Sequence, residues 1–384
     1  MTLHTLLDYE TLRVAWWLLL GVLLIAFAIT DGFDLGTGAL LHLVARTDTE
    51  RRIVINSIGP VWEGNQVWLI LGGGAIFAAW PPLYAVSFSG FYLAMFAILF
   101  ALILRPVGIK YRGKRDGLAW RRNWDIALCI GGAVPAVIFG VAVGNVLQGV
   151  PFVLDADLRI RYEGTFLGLL NPYALLCGAL SLAMVAMHGA SWLVLKTGGE
   201  VARRARSWGQ AAAGAVIVLY AVGGVALWGA VDGYRITSTV NPGGPSNPLF
   251  KTAVRAPQAW FDNLAAHPAL WGVPLLGFIG AAAAFAALRA GRGLAALAAG
   301  ALSIAGIIGS VGAAMFPMIL PSSRDPRSSL TVWDASSSHL TLFIMLVTAL
   351  VFVPLIVAYT SWVYHVMRGK VDAESIAKPG GHAY

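Results

Sequence analysis

The chain has 384 residues, of which 58% are hydrophobic and only 12% are charged. A typical soluble domain carries about 25% charged residues, and a soluble chain of this size could not bury so many apolar side chains. The composition therefore excludes a soluble enzyme, a nucleic-acid-binding protein and a disordered chain. It predicts an all-α, polytopic integral membrane protein.

Apolar runs long enough to cross a bilayer occur nine times along the chain. A spanning helix needs about 20 mostly apolar residues. The runs cover roughly residues 14–43, 53–79, 82–104, 123–149, 166–195, 207–231, 267–288, 293–319 and 338–366. The sequence therefore predicts nine transmembrane helices with no inserted soluble domain.

The positions of lysine and arginine indicate how these spans are oriented. With nine spans, alternate loops fall on opposite sides; one set of loops holds 19 basic residues and the other set holds 8, which together are all 27 in the chain. Because basic loops stay in the cytoplasm, the bias predicts a periplasmic N-terminus and a cytoplasmic C-terminus. On this division no lysine or arginine lies inside a span.

Three acidic residues, Asp31, Asp34 and Glu63, lie well inside apolar runs, away from the ends of the runs. A charged group at the bilayer centre is costly, so each is a candidate functional residue. Asp31 and Asp34 share one helix face near the cytoplasmic end of the first span, where the alternative is that they simply reach water. Glu63 lies about 11 residues, or ~16 Å, into the second span, close to the midplane and with no basic partner in the chain at that depth.

A polar stripe is predicted around Glu63. Asn56, Glu63 and Gln66 share one face of a continuous helix. Pro60 has no N–H, so the carbonyl of Asn56 loses its helical donor. The stripe is either a proton-conducting groove that starts at the cytoplasmic side or a polar helix contact that only holds the bundle together.

The residues themselves offer no cofactor or metal site. Cys129 and Cys177 both lie in apolar runs, which excludes a disulfide scaffold and a cysteine-based zinc or iron–sulfur site. Among the seven histidines, five lie near the chain termini or at the ends of spans, and only His188 and His339 are expected within the bilayer; neither has a second His or Cys at ligand spacing. A single histidine can bind haem, but hydrogen-bonded packing is the favoured interpretation. The residues alone leave open a transporter or a subunit of a larger complex.

Several stretches resemble subunit II of the cytochrome bd-type ubiquinol oxidases. The most specific are DGFDLG (31–36) and VWEGNQVW (61–68), followed by RPVGIKYR (105–112) and SLTVWDASSSHLTL (329–342). The resemblance covers essentially the whole chain. The form SIGPVWEGNQVW is more similar to the cyanide-insensitive branch.

The resemblance implies a terminal oxidase of the bacterial inner membrane that takes electrons from ubiquinol, reduces dioxygen to water and builds proton-motive force. In this family subunit I carries heme b and heme d, so this chain would bind no haem by itself and would hold no complete catalytic site. The implied fold is two four-helix bundles, 12–149 and 165–319, plus a peripheral ninth helix at 338–368. The implied partners are subunit I, a small accessory subunit, quinol and lipids.

The resemblance also implies roles for single residues. Glu63 matches an acidic residue that the family assigns to a proton path from the cytoplasm to the haem site, although this chain has Glu where other members have Asp. Trp68 matches a tryptophan near a proposed oxygen route. The candidate proton path is therefore Glu63, followed by Asn56, Gln66, Asp31 and Asp34.

Two other functions compete with this interpretation. One is a stand-alone secondary transporter, in which Asp31, Asp34 and Glu63 bind a coupling ion at broken helices. The other is a purely structural subunit of the oxidase, in which Glu63 has no role in turnover.

Overall fold

The computed structural model describes residues 6–374, so residues 1–5 and 375–384 at the two ends of the chain lie outside the described part. The described residues form α-helices and three two-stranded antiparallel hairpins. The helices are α1 (Tyr9–Val44), α2 (Asp48–Ile58), α3 (Trp62–Ala79), α4 (Pro81–Gly90), α5 (Tyr92–Tyr111), α6 (Leu118–Gln148), α7 (Pro172–Lys196), α8 (Gly199–Gly229), α9 (Asp262–Ala266), α10 (Gly272–Arg289), α11 (Gly293–Met315) and α12 (His339–Val366). The strands are β1 (Phe152–Leu154) with β2 (Ile160–Tyr162), β3 (Gly233–Ile236) with β4 (Ala253–Ala256), and β5 (Met318–Leu320) with β6 (Leu330–Thr331).

Eight helices between residues 6 and 374 are long and apolar enough to cross a membrane, namely α1, α5, α6, α7, α8, α10, α11 and α12. The remaining predicted span, 53–79, consists of α2 and α3, which are separated by residues 59–61. The polar residues Glu63, Asn65 and Gln66 near the start of α3 lower its hydropathy. The all-helical membrane fold with about nine spans is confirmed.

The break between α2 and α3 follows from the local sequence. The Thr47–Glu50 capping box starts α2. Pro60 cannot donate a backbone hydrogen bond, and a tighter turn replaces the helix there, in which Val61 N–H donates to the carbonyl of Ile58 at 3.0 Å. A single continuous second helix, as the sequence predicted, therefore does not form.

Helix α1 lies at the centre of the molecule, where it packs against α3, α6, α7 and α11. Its closest crossing is with α7. A Cβ atom added at Gly36 would lie 1.8 Å from the carbonyl oxygen of Val185, and one added at Gly189 would lie 2.5 Å from the Gly36 carbonyl carbon. Only glycine permits this backbone approach. Helix α12 packs mainly on α1 and α3 and has one buried side chain, that of Leu342. The division into two four-helix halves stays a prediction.

The loops segregate to two ends of the bundle, as nine crossings require. The turns 45–47, 112–117, 197–198 and 290–292 and the residues after α12 form one end, which we call the basic end. Ion pairs tie it together, among them Arg121 with Asp48 at 2.9 Å and Arg204 with Glu50 at 2.7 Å. The segments 149–171, 230–271 and 316–338 form the opposite, long-loop end and contain the three hairpins.

Two buried cations hold the long-loop end together. Arg13 of α1 is fully buried and donates to Ser336 Oγ at 2.7 Å and to the carbonyl of Gly244 at 3.0 Å. Lys251 pairs with Asp334 at 2.9 Å, and burial lowers the pKa of its ammonium group. The Arg13 contacts anchor the long loops on the start of α1, and the Lys251 pair joins two of these loops to each other.

Candidate functional site

A buried ion cluster lies in the interior of the helix bundle. Arg105 of α5 binds Asp31 of α1 through two hydrogen bonds, Nη1 to Oδ2 at 2.9 Å and Nη2 to Oδ1 at 2.6 Å. Arg105 Nη2 also lies 3.9 Å from Asp34 Oδ2. All three residues are at most 3% exposed. We call Asp31, Asp34 and Arg105 the Arg105 cluster.

Asp34 has further contacts on α3 and α12. Its Oδ2 accepts a hydrogen bond from Asn65 Nδ2 at 2.7 Å, and Asn65 Oδ1 accepts one from the Tyr364 hydroxyl at 2.5 Å. The other carboxylate oxygen, Oδ1, is buried and has no hydrogen-bond partner among residues 6–374. The Arg105 cluster and its neighbours thus join four helices that are distant in sequence.

The cluster contains two carboxyl groups and one guanidinium. Arg105 forms both of its short hydrogen bonds with Asp31, so Asp34 receives only a longer electrostatic contact. An ionised carboxylate is costly to bury unless it is paired and fully hydrogen-bonded. The net charge of the cluster therefore changes by one when Asp34 gains or loses a proton. This arrangement is suited to proton exchange in a water-poor interior.

Two expectations from the sequence are wrong here. Arg105 was expected in a loop, because the third apolar run was taken to end at residue 104 and no lysine or arginine was placed inside a span. Instead, α5 continues through Pro106 to Tyr111, which places Arg105 inside the helix. The second expectation was that Asp31 and Asp34 could lie close enough to the membrane surface to contact water, but both side chains are buried. One pattern in the sequence could have indicated Arg105. Two acids on one face of a span are costly to bury, so a cation inside the bundle is expected to pair with them.

Glu63 lies on the outer surface of the chain and not in a buried stripe. Its side chain is 64% exposed, and its Oε1 lies 3.2 Å from Nζ of Lys110, which is 54% exposed. Lys110 is one residue from the end of α5, so Glu63 lies near the basic end of the bundle and not at mid-span. The expectation that Glu63 has no basic partner in this chain is wrong. The reason is that α2, which precedes the break, packs among the turns of the basic end.

The structure also separates the residues of the predicted polar stripe. Asn56 is buried near the end of α2, and its side-chain amide donates to the carbonyl of Arg52 at 2.8 Å. Glu63 is exposed at the start of α3, and Gln66 is half-buried one turn later. The break at 59–61 separates Asn56 on α2 from Glu63 and Gln66 on α3, so the three residues do not lie on one continuous helix. The sequence analysis missed Asn65, which lies between Glu63 and Gln66 and is the α3 residue that contacts Asp34.

The comparisons with known proteins agree over nearly the whole chain. The family model for cytochrome bd terminal oxidase subunit II matches residues 12–367. The chain belongs to the cytochrome bd terminal oxidase subunit II family. It is 48% identical over 373 residues to the cytochrome bd-I ubiquinol oxidase subunit 2 of Escherichia coli K12, which covers 97% of this chain and 98% of the relative. It is 31% identical over 362 residues to the cytochrome bd ubiquinol oxidase subunit 2 of Bacillus subtilis, which covers 94% and 97%.

A solved structure shows the same fold. The bd oxidase of Geobacillus thermodenitrificans contains a chain that superposes with a TM-score of 0.67 at 17% identity, covering 93% of this chain and 98% of that one. The chain is therefore a multi-pass membrane subunit of a terminal oxidase, as the sequence predicted, and the enzyme is the complex. The family membership overturns the alternative of a stand-alone transporter.

The complexes of this cytochrome family contain haem, so the histidines of this bd subunit can be examined as ligands of a haem iron. His188 is fully buried, and its Nε2 lies 3.0 Å from the carbonyl oxygen of Ile29. Its Nδ1 faces Gly300 so closely that a Cβ there would lie 2.8 Å away. His339 Nε2 lies 2.8 Å from the carbonyl oxygen of Leu7. Neither histidine leaves room for a haem iron at these nitrogens. Within residues 6–374, no group of three or more His, Cys, Asp or Glu residues could hold a metal ion.

The oxygen-route residue and the cysteines are also placed. Trp68 of α3 is 5% exposed and packs in the largest apolar core, and its indole N–H has no hydrogen-bond partner among the described residues. Cys129 and Cys177 are half-buried free thiols on α6 and α7. The role of Trp68 stays a prediction.

Three acids at the basic end of this bd subunit, Asp48, Glu50 and Asp125, are paired with arginines. Asp125 contacts Arg112 at 2.5 Å and Arg51 at 3.1 Å. Glu50 contacts Arg204 at 2.7 Å, and this hydrogen bond is the main cause that lowers the pKa of Glu50 to about 2. These ion pairs connect α2, α6 and α8 and hold the turns together. They offer no unpartnered carboxyl oxygen comparable with that of Asp34.

Proposed function

We propose that this chain is the haem-free partner of a haem-bearing subunit I in a quinol-oxidising, oxygen-reducing complex. The names of the relatives from Escherichia coli and Bacillus subtilis support ubiquinol as the electron donor. The packed surroundings of His188 and His339 support the assignment of heme b and heme d to the other subunit. A small accessory subunit is compatible with the exposed apolar helix faces, for example that of α12.

The proposed contribution of this chain to turnover is proton uptake from the cytoplasm. The observation that carries this proposal is the Arg105 cluster, in which one guanidinium faces two buried carboxyl groups. A group that exchanges protons inside a bilayer needs to be buried and incompletely compensated, and Asp34 meets both conditions. Asp31 keeps Arg105 in place, and Asn65 orients the Asp34 carboxyl group.

Glu63 is proposed to act at the surface where the partner subunit binds. Glu63 and Lys110 are both more than half exposed, although α3 and α5 belong to the membrane part of the chain. A charged pair that faces lipid is costly, whereas a pair that faces a partner or a water-filled seam between subunits is not. We also propose that Gln66, one turn further along α3, borders the same subunit interface. Asn56 is proposed to lie on the proton path between the cytoplasm and Glu63. Trp68 is proposed to border an oxygen route.

The test of Glu63 compares Glu63→Gln with Glu63→Asp in the assembled complex. Gln cannot titrate, so we expect turnover to fall by about a hundredfold or more, the lower limit of what a positioned proton-transfer group contributes. Asp keeps the carboxyl group and should retain most of the turnover. The measurement is oxygen consumption with excess quinol, normalised to haem d content. Glu200→Gln is the matched control, because Glu200 is an exposed acid paired with Arg203 at the same end. Normal turnover of Glu63→Gln would leave Glu63 with a structural role only.

The orientation of the chain is part of the same proposal. The bias of 19 basic residues against 8 supports a cytoplasmic basic end and a periplasmic long-loop end in the bacterial inner membrane. Reporter fusions at Tyr111 and Gly243 should therefore report the cytoplasm and the periplasm, respectively. Two fusions on the same side would contradict both the orientation and the number of crossings.

A further inference from the structure

A partly enclosed cavity of about 290 Å³ opens at the basic end of the bundle. It lies between the α2–α3 break, the end of α7 and the end of α12. The lining residues from the break are Asn56, Ser57, Pro60 and Val61, and α7 contributes Trp192 and Lys196; the remaining wall is Tyr364 and residues 366–371. The cavity has room for several water molecules, and its rim contains polar groups that could bind them.

The α2–α3 break gives this cavity a physical explanation. Backbone that is not helical is tolerated at membrane depth where it is buried in protein or lines water. Pro60 and Val61 of the break both face the cavity, so water in it can hydrate the backbone groups that the break leaves outside a regular helix. The break at Gly59-Pro60 thus forms one wall of the cavity.

Tyr364 separates the cavity from the Arg105 cluster. Its side chain lines the cavity, and its hydroxyl donates to Asn65, which in turn donates to Asp34 Oδ2. Only two side chains therefore lie between the cavity and a buried carboxyl group. The other oxygen of that group, Asp34 Oδ1, has no partner within the described residues. A buried acceptor of this kind is normally satisfied by water or carries a proton.

We propose that this cavity is the water-filled entrance through which protons from the basic end reach Asp34, with Tyr364 and Asn65 as positioning residues. The inference rests on the proposed role of the Arg105 cluster in proton uptake. A hydronium ion that arrives through the cavity water breaks one of its O–H bonds, transfers that proton to Asp34 Oδ1 and becomes water; transfer of the proton back to a water molecule restores the carboxylate. The Asn65 amide exchanges protons poorly, so it holds Oδ2 while the proton travels by water past the Tyr364 hydroxyl.

The first test measures whether water reaches the cavity in the intact complex. Val61→Cys places a thiol at the α2–α3 break, and a water-soluble cationic methanethiosulfonate reagent is applied to membranes whose basic end faces the reagent. Val216→Cys is the matched control, because Val216 is fully buried in the bundle and does not line the cavity. Unsubstituted protein gives the background from the native Cys129 and Cys177.

We expect Val61→Cys to react at least about tenfold faster than Val216→Cys, because only a hydrated thiol forms the reactive thiolate. Equal, slow labelling of both variants would show that the cavity is dry and would overturn the proposal. This readout does not depend on oxidase activity, so it stands even where a variant turns over slowly.

The second test measures turnover and its solvent isotope effect. Tyr364→Phe removes the hydroxyl and leaves Asn65 Oδ1 without its donor. We expect oxygen consumption to fall about fivefold, the effect of raising the barrier to proton delivery by the ~1 kcal/mol of one hydrogen bond. If proton delivery becomes rate-limiting, the ratio of rates in H₂O and D₂O should also rise. A structural defect would lower the rate without this rise. Tyr359→Phe is the matched control, because Tyr359 is an exposed tyrosine on the same helix.

Asp34→Asn distinguishes failure of the entrance from failure of the proposed function. If Asp34→Asn lowers turnover and Tyr364→Phe changes neither the rate nor the isotope effect, the entrance is wrong and the role of the cluster stands. If Asp34→Asn turns over normally in a complex with full haem content, the cluster has no part in proton uptake and both proposals fail.

Discussion

The substitution Arg105→Met tests whether the Arg105 cluster is held together by its guanidinium. Met has a similar length and is apolar, so it fills the space that the arginine stem occupies without restoring the charge. The substitution removes two short hydrogen bonds to Asp31 and the 3.9 Å contact with Asp34. Both carboxyl groups, at most 1% exposed, are then left without a cation.

The expected loss of stability follows from this geometry. Breaking a buried ion pair by removing one partner costs about 3–5 kcal/mol. Asp31 can reduce the cost by taking up a proton, because a buried acid is less costly when it is neutral. We therefore expect a value near the lower limit, about 3 kcal/mol. The double variant Asp31→Leu with Arg105→Met should recover most of this loss, because apolar replacement of a buried pair is often neutral.

The assay is a denaturant titration of the purified complex in detergent. The fraction of complex that stays assembled is measured at each denaturant concentration. Arg203→Met is the matched control, because Arg203 forms an exposed ion pair with Glu200, and it should not change the midpoint. The double-variant cycle then gives the coupling between Asp31 and Arg105. A loss below about 1 kcal/mol for Arg105→Met, or no recovery in the double variant, would refute the reasoning.

The remaining predictions concern packing and pH. Gly36→Ala should destabilise the complex by more than about 3 kcal/mol, because its Cβ would lie 1.8 Å from the backbone carbonyl oxygen of Val185. Gly73→Ala is the control: its Cβ would meet no atom within 4 Å, so it should be neutral or slightly stabilising in the same titration. Glu50→Gln should cost about 1.5–3 kcal/mol at pH 7, because it weakens charge-assisted hydrogen bonds with Arg204 in a pair that is at most 18% exposed. Because Arg204 lowers the pKa of Glu50 from 4.5 to about 2, its contribution is complete above pH 4.5 and disappears as the pH falls towards 2. The stability difference between Glu50→Gln and the unsubstituted protein should narrow over that interval, and a constant difference would contradict the assignment.

The sequence by itself determined the class of protein, the number of crossings and the family. Apolar runs of about 20 residues can be stable only inside a bilayer, so composition and run length decide the architecture without knowledge of any contact. The sequence also showed that basic loops and long loops alternate, because each crossing takes the chain to the opposite side of the membrane. Asp31, Asp34 and Glu63 stood out as candidates for the same reason, since an acid in an apolar run is costly wherever it points.

Only the tertiary structure decided which of these acids is buried and what each one contacts. The periodicity around Glu63 was interpreted as a continuous helix, whereas the turn at Gly59–Pro60 divides it and leaves Glu63 exposed beside Lys110. Arg105 and Tyr364 are 74 and 330 residues away from Asp31 and Asp34, respectively, and no local pattern links them. Their meeting depends on how α1, α3, α5 and α12 pack together. A local sequence pattern gives the face of a helix, but the partner of a buried charge is set by the three-dimensional packing of distant segments.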